Sequence, residues 1–69
     1  MSKEAQELKR IRKRFKASRR QFGEVFLGKS QSSIKMYETD KVKAPESVLM
    51  LAYAWEGFLN TLKGKKNGN

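Results

Sequence analysis

The chain has 69 residues with no cysteine and no histidine, and 16 Lys and Arg against 7 Asp and Glu give it a net charge of +9. This length allows one small domain, which dimerisation would help to stabilise. The missing residue types exclude disulfides, thiolate or histidine zinc sites and His-based catalysis, so we expect no enzyme, no metal and no cofactor. No stretch resembles a signal peptide or a membrane span, so we expect a cytoplasmic protein that does not contact a membrane.

The positive charge is concentrated at the start of the chain. Residues 1–20 carry nine basic and two acidic side chains. A strongly basic face is the electrostatic footprint of a nucleic-acid-binding protein. The alternative is a basic surface that aids solubility or contacts anionic lipid.

The first predicted helix covers residues 3–16. An apolar stripe at helical spacing runs along this charged segment, and it consists of Leu8, Ile11 and Phe15. The helix ends before Ser18, which is a favourable N-cap for the next helix. Gln21, three residues later, completes a capping-box pattern.

The second predicted helix is short and ends in a turn. Phe22, Val25 and Phe26 recur at the spacing of one helix face, so we expect all three on its apolar side. Gly28 then interrupts the pattern, and it suits a left-handed backbone conformation that other residues resist.

A third helix follows the turn. Ser30 can cap it, Ile34 and Tyr37 lie three apart on one side, and the other side is polar. Two helices joined by a short glycine-containing turn, the second with a polar outer face, are typical of a helix-turn-helix.

The remainder forms a loop, a fourth helix and a tail. Residues 39–44 suit a loop, and Pro45 suits the first turn of a helix that continues to Leu62. Gly57 predicts a bend or a break in this helix. We therefore predict a domain over residues 1–62 and a disordered basic tail over residues 63–69. The expected core consists of Leu8, Ile11, Phe15, Phe22, Phe26, Ile34, Tyr37, Val48, Leu51 and Ala52.

In combination, these features resemble the lambda repressor/Cro-type (XRE-like) helix-turn-helix family. Residues 8–55 carry the resemblance, and the matching positions are Arg12, Ser18, Phe22-Gly23, Gly28, residues 30–33, Ile34, Glu38 and residues 41–45. The resemblance implies an all-α bundle of four to five helices. Within the family, the chain is similar to small phage and mobile-element regulators, including anti-CRISPR-associated repressors.

The chain departs from the family pattern at three points. Gly23 stands where a small Ala is usual, and Asp40 stands where a Gly often follows the Glu. One extra residue lies between Phe22-Gly23 and the turn. The resemblance also implies that Arg12 pairs with Glu38 and so links the first helix to the end of the third.

The outer face of the third helix is the predicted base-reading surface. Gln31 can pair with adenine, Ser32 can meet either type of base, and Met36 can pack on a thymine methyl group. Lys35 can reach a guanine or a phosphate. The alternative is a helix face that is exposed to solvent and has no partner. Solvent-exposed helix faces, however, are usually rich in Glu, Lys and Ala, not in Ser and Gln.

The flanks of this helix are expected to contact DNA phosphates. Backbone N–H groups and the helix dipole favour a phosphate at the start of the second helix, and lysines in the turn and the following loop can contact the neighbouring backbone. The predicted phosphate contacts are Ser18, Arg19, Arg20, Lys29, Ser30, Ser33, Lys41 and Lys43. Each one taken singly is also compatible with a plain surface position.

Apolar residues at the end of the fourth helix predict a symmetric dimer, because so short a chain has little core in which to bury them. The predicted interface consists of Trp55, Phe58, Leu59 and Leu62. A two-fold axis would place two recognition helices about 34 Å apart, one turn of DNA. The alternative is that this segment folds back on its own core.

We therefore expect a sequence-specific regulator that binds double-stranded DNA, acting as an autoregulatory repressor at a palindromic operator. The chain has no room for a ligand domain, so no small-molecule effector is expected. A second hypothesis is a partner-binding protein, such as an antitoxin or small inhibitor, that acts through its C-terminal apolar helix. RNA binding through the first helix is a third, although no aromatic platform for stacking bases is evident.

Overall fold

A computed structural model describes the backbone of residues 2–68 and the side chains of residues 2–62, and within that range the chain forms four helices and no strand. In chain order these are α1 (Lys3–Arg14), α2 (Arg19–Gln21) continued by a π-helical segment (Phe22–Leu27), α3 (Gln31–Glu38) and α4 (Glu46–Gly68). The all-α prediction is confirmed. The fourth helix was expected to end at Leu62, but α4 continues to Gly68. The side chains of residues 63–69 lie outside the described part of the chain, and the disorder of the basic tail stays a prediction.

A serine precedes each of the first three helices and caps it. Ser2 caps α1 through its Oγ, and Ser30 Oγ accepts a hydrogen bond from the Ser33 N–H at 3.2 Å. At Ser18 the predicted capping box is confirmed. The Gln21 N–H donates to Ser18 Oγ at 3.1 Å, and the Ser18 N–H donates to the Gln21 side-chain oxygen at 3.2 Å. Each cap contributes about 1 kcal/mol.

The second helix differs most from the prediction, because Phe22–Leu27 is π-helical. A π turn bonds residue i to i+5, so it holds about one residue more than an α turn. The inward face shifts accordingly: Phe22 and Leu27 are buried, Phe26 is half-buried and Val25 is 70% exposed. The expectation that Val25 lies on the apolar face is wrong, and Leu27 takes its place.

Two glycines set the path of this segment. Gly23 is buried where the second helix meets α3, and a Cβ there would lie 2.5 Å from the Lys29 carbonyl oxygen and 2.8 Å from Ile34 Cγ1. No side chain fits in that space without a shift of the backbone. Gly28 ends the π-helical segment with φ 67°, in the left-handed region that favours glycine.

The hydrophobic core lies between α1, α3 and α4, with the π-helical segment closing its remaining side. Its buried members are Leu8, Ile11, Phe22, Leu27, Ile34, Tyr37, Ala44, Val48 and Ala52. Phe15 and Phe26, which were also expected in the core, are half-buried and pack against it.

Two expectations for α4 are wrong. Leu51 was expected in the core but is 41% exposed, because it lies about 100° around the helix from the buried Ala52, at the margin of the inward face. Gly57 was expected to bend or break α4, but the helix continues through it. A glycine costs about 1 kcal/mol in a helix interior, which is too little to interrupt a helix that is anchored before and after it. Within the described residues, no helix is both long and apolar enough to cross a membrane.

A polar cluster fastens α1 to α4. The Glu56 carboxylate accepts hydrogen bonds from both Arg10 and Arg14, and Arg14 also donates to the Asn60 side-chain oxygen at 2.8 Å. Hydrogen bonds, chiefly from Arg10 and then from Arg14, lower the pKa of Glu56 from 4.5 to about 2, although burial opposes the shift. Two of the six basic side chains of α1 thus hold α4 in place.

Candidate nucleic-acid interface

The outer face of α3 carries all four predicted base-reading side chains. Gln31, Ser32, Lys35 and Met36 are exposed, while Ile34 on the inner face is fully buried. Helical geometry places the four on one side, over the first turn and a half of α3. Among the described residues, none of these side chains has a hydrogen-bonding or ionic partner. Their polar groups therefore face outward.

This face presents donors, acceptors and apolar surface together. A glutamine amide has both a donor and an acceptor, a hydroxyl has either, and a methionine side chain offers a flexible apolar contact. Lys35 adds a positive charge one helical turn after Gln31. Such a set matches the edges of base pairs in a major groove, which is wide enough to admit an α-helix.

A buried carboxylate fixes the far end of α3. Glu38 is 1% exposed, and its two oxygens accept hydrogen bonds from Arg12 Nε at 2.8 Å and from Arg19 Nε at 3.1 Å. Arg12 also donates to the Ala17 carbonyl oxygen at 3.0 Å. These three charged residues, the Glu38 cluster, join α1, α2 and α3 at one point. Every polar atom that is buried within the described side chains has a partner.

The structure thus brings together Arg12 and Glu38, the pair implied by the resemblance, and adds Arg19. Sequence reasoning assigned Arg19 to a phosphate, and nothing in the spacing of the residues signals its second role. The contact depends on the angle at which α2 meets the end of α3. Arg19 remains 31% exposed, and the phosphate contact stays a prediction.

Arg20 differs from Arg19. Its side chain is 73% exposed, and its one ion pair, with Glu24, spans 3.6 Å on the helix surface. Such exposed pairs contribute about 0–1 kcal/mol, so the guanidinium is easily drawn to another anion.

The three serines predicted to contact phosphate already serve the helix caps. Ser18 Oγ holds the start of α2, and Ser30 Oγ holds the start of α3 and donates to Ser33 Oγ at 3.1 Å. A phosphate contact by any of these hydroxyls would share an atom with a cap.

The predicted lysines are exposed on either side of α3. Lys29 lies in the turn before it, and Lys41 and Lys43 lie in the loop after it. Within the part of the chain whose side chains are described, every arginine forms an ion pair and no lysine does. Arginine therefore serves internal contacts here, while lysine supplies the outward positive charge.

The predicted dimer residues divide into two pairs. Trp55 and Leu59 are half-buried against their own chain, and the Trp55 indole N–H donates to the Phe26 carbonyl oxygen at 2.8 Å. Phe58 and Leu62 instead remain 53% and 49% exposed. Trp55 therefore follows the alternative expectation, in which this segment packs against the core of its own chain.

The described residues contain no group of three or more acidic, histidine or cysteine side chains arranged to hold a metal. Comparison with protein-family models, with curated proteins and with solved structures gives no match.

Proposed function

We propose that this chain is a sequence-specific regulator that binds double-stranded DNA through a lambda-repressor-like helix-turn-helix. The observation that carries the proposal is the outer face of α3, where Gln31, Ser32, Lys35 and Met36 are exposed without internal partners. The α2–π unit, the turn ending at Ser30 and α3 would form the motif, with α3 in the major groove.

The rigidity of α3 supports the same reading. A helix that reads bases must keep its orientation to within a fraction of an ångström, and this requires packing and hydrogen bonds behind it. Ile34 packs in the core, and the Glu38 cluster fixes the C-terminal end of α3. Unpaired lysines on both flanks would neutralise phosphates, which supplies affinity while the bases supply specificity.

The proposed mode of regulation is occlusion of a promoter at the protein's own gene. The described part of the chain forms one helical bundle and no separate domain for a ligand. The protein's own concentration would then set occupancy of the operator. Recruitment of polymerase instead of its exclusion would require a further surface.

Binding to two duplexes tests the proposal. Fluorescence anisotropy would compare a duplex from upstream of the gene with a scrambled duplex of equal length, across a range of salt concentrations. We expect the upstream duplex to bind about 1,000-fold more tightly at physiological salt, with steep salt dependence for both. Equal, weak binding to both duplexes would contradict the proposal.

Three variants assign the binding to the proposed surfaces. Gln31→Ala and Met36→Ala should each reduce the difference in binding free energy between the two duplexes by about 1–3 kcal/mol. Arg20→Ala should instead weaken binding to both duplexes equally. Met50→Ala is the matched control for Met36→Ala, because Met50 is exposed on α4, away from α3. It should leave both affinities unchanged.

We also propose that two copies associate through α4. Leu51, Phe58 and Leu62 are spaced by seven and four residues, which is the spacing of a coiled-coil seam, and all three are more than 40% exposed. Exposed apolar side chains in such a row favour a partner helix. An isologous contact between two copies would give the symmetry that a palindromic operator needs.

Sedimentation equilibrium tests this association. The chain should behave as a dimer at micromolar concentration, and Phe58→Glu should convert it to a monomer that still folds, because the ring of Phe58 lies outside the core. The same row of residues also favours the second candidate function, the binding of a different protein. In that case the chain would be a monomer, and Phe58→Glu would abolish activity in the cell while Gln31→Ala would not.

A further inference from the structure

The basic side chains of α1 make different contacts. Arg10 and Arg14 bind acidic side chains of α1 and α4. Lys9 and Lys13, together with Lys16 just after the end of the helix, bind no acidic side chain, and we name these three lysines the lysine ridge. We propose that the lysine ridge binds the phosphate backbone of duplex DNA outside the half-site that α3 reads.

The lysine ridge extends from the middle of α1 to just beyond its end. Lys9 and Lys13 lie one turn apart on one side of α1, and Lys16 follows two residues after the last helical residue. Lys13 and Lys16 are exposed and Lys9 is half-buried. A shallow depression lined by Lys9 and Lys13 together with Gln6 and Arg10 lies beside it.

The fold does not compensate this charge. Like charges at i,i+4 in a helix are destabilising by about 0.2–0.5 kcal/mol, and no acidic side chain of the described residues pairs with the ridge. The two acidic residues of α1 lie elsewhere: Glu7 pairs with Arg10, and Glu4 lines a depression with Leu49 at the start of α4. The anion that matches the ridge is therefore outside the chain.

Lys16 is also held in an unusual position. Its backbone has φ 54°, in the left-handed region that ends many helices and that usually holds glycine or asparagine. A lysine there carries a conformational cost of order 1 kcal/mol. Retaining it places a positive charge at the corner where α1 turns toward α2.

That corner connects the ridge with the surface already proposed for DNA. Ser18 and Arg20, at the start of α2, come two and four residues after Lys16. Arg12 of α1 reaches Glu38 at the end of α3, and the N–H and hydroxyl of Ser2, which caps α1, donate to Asp40 in the following loop. The start of α1 thus contacts the loop after α3, and its end leads into the start of α2; both are segments predicted to contact phosphates. A duplex is the occupant that fits, because it presents a regular row of negative charges.

This inference rests on the proposed function, and a length-dependent salt titration tests it separately. Two operator duplexes are compared: one just long enough for the half-sites, and one extended by about one helical turn at each end. The triple variant Lys9→Gln, Lys13→Gln, Lys16→Gln removes the ridge. The triple Lys→Arg variant at the same positions is its matched control, because it keeps the charge.

On the extended duplex, the Gln variant should reduce the slope of log K against log salt by about 3, since each lost phosphate contact removes about 0.9. On the short duplex its slope should match that of the unmodified chain. The Arg variant should match the unmodified chain on both. Thermal melting followed by circular dichroism shows that each variant folds.

Two results would overturn the inference while leaving the proposed function intact. One is an unchanged slope of log K against log salt for the Gln variant on the extended duplex. The other is an equal reduction of this slope on both duplexes, which would place the ridge inside the half-site. The inference would also be overturned if the Gln variant lost binding to duplex RNA or to anionic vesicles but bound the extended operator as tightly as the unmodified chain. If the unmodified chain fails to prefer the operator, the proposed function itself falls.

Discussion

Glu38 is the residue at which three helices meet. Its carboxylate is fully buried, and both of its oxygens are bound by arginines from different helices. A neutral amide in this place would leave one or both guanidinium groups without their anion. Because breaking a buried pair is strongly destabilising, α3 would lose both stability and orientation.

We expect Glu38→Gln to lower the free energy of unfolding by about 3–5 kcal/mol, measured by urea denaturation. Glu24→Gln is the matched control, since it removes the exposed pair with Arg20 and should change stability by less than about 0.5 kcal/mol. Similar effects for the two variants would show that the Glu38 cluster does not fix α3.

The extent to which single residues could be predicted varied with the range of their contacts. Ser18 and Gln21 act within one turn, and their capping box follows from spacing alone. The partner of Glu38 on α1 followed from the resemblance, but Arg19 did not, because its contact is set by how two helices meet in space. The exposure of Leu51 also depends on that placement.

Among the elements, the π-helical segment is the one that sequence reasoning missed. An α-helical period of about 3.6 residues predicts that Val25 lies on the inner face. In the wider π turn Leu27 occupies that face and Val25 is exposed. The π turn could not be predicted from local periodicity, because it packs against distant parts of the chain and the Trp55 indole N–H donates to its Phe26 carbonyl oxygen.

Two glycines give opposite predictions for the same substitution. Gly23→Ala should destabilise the fold by about 1–3 kcal/mol, because the new methyl group would overlap the Lys29 carbonyl and the Ile34 side chain. Gly57→Ala should stabilise it by about 0.5–1 kcal/mol, because nothing lies within 4 Å of the new atom and alanine favours helix. Thermal melts of both variants check these signs. A stabilising Gly23→Ala would show that the crossing of the second helix and α3 is loose.

For the whole molecule, the fold class, most of the core and the limits of α3 were predictable, since local caps and apolar periodicity fix them in a chain of this size. The orientation of α4 was not. Its apolar residues surround more of the helix than its contacts cover, so the pattern does not say which of them face the core. Trp55 and Phe58 illustrate this, because they are neighbours on α4 but only Trp55 is half-buried.

The different contacts of arginine and lysine side chains have a chemical consequence. Among the described side chains, the guanidinium groups bind the fold's own carboxylates, while the amines face outward. Acylation neutralises amines and leaves guanidinium groups charged. A mild acylating reagent would therefore remove the molecule's attraction for polyanions and spare the contacts that hold its helices together. The net charge and the fold of this chain can thus be changed independently of one another.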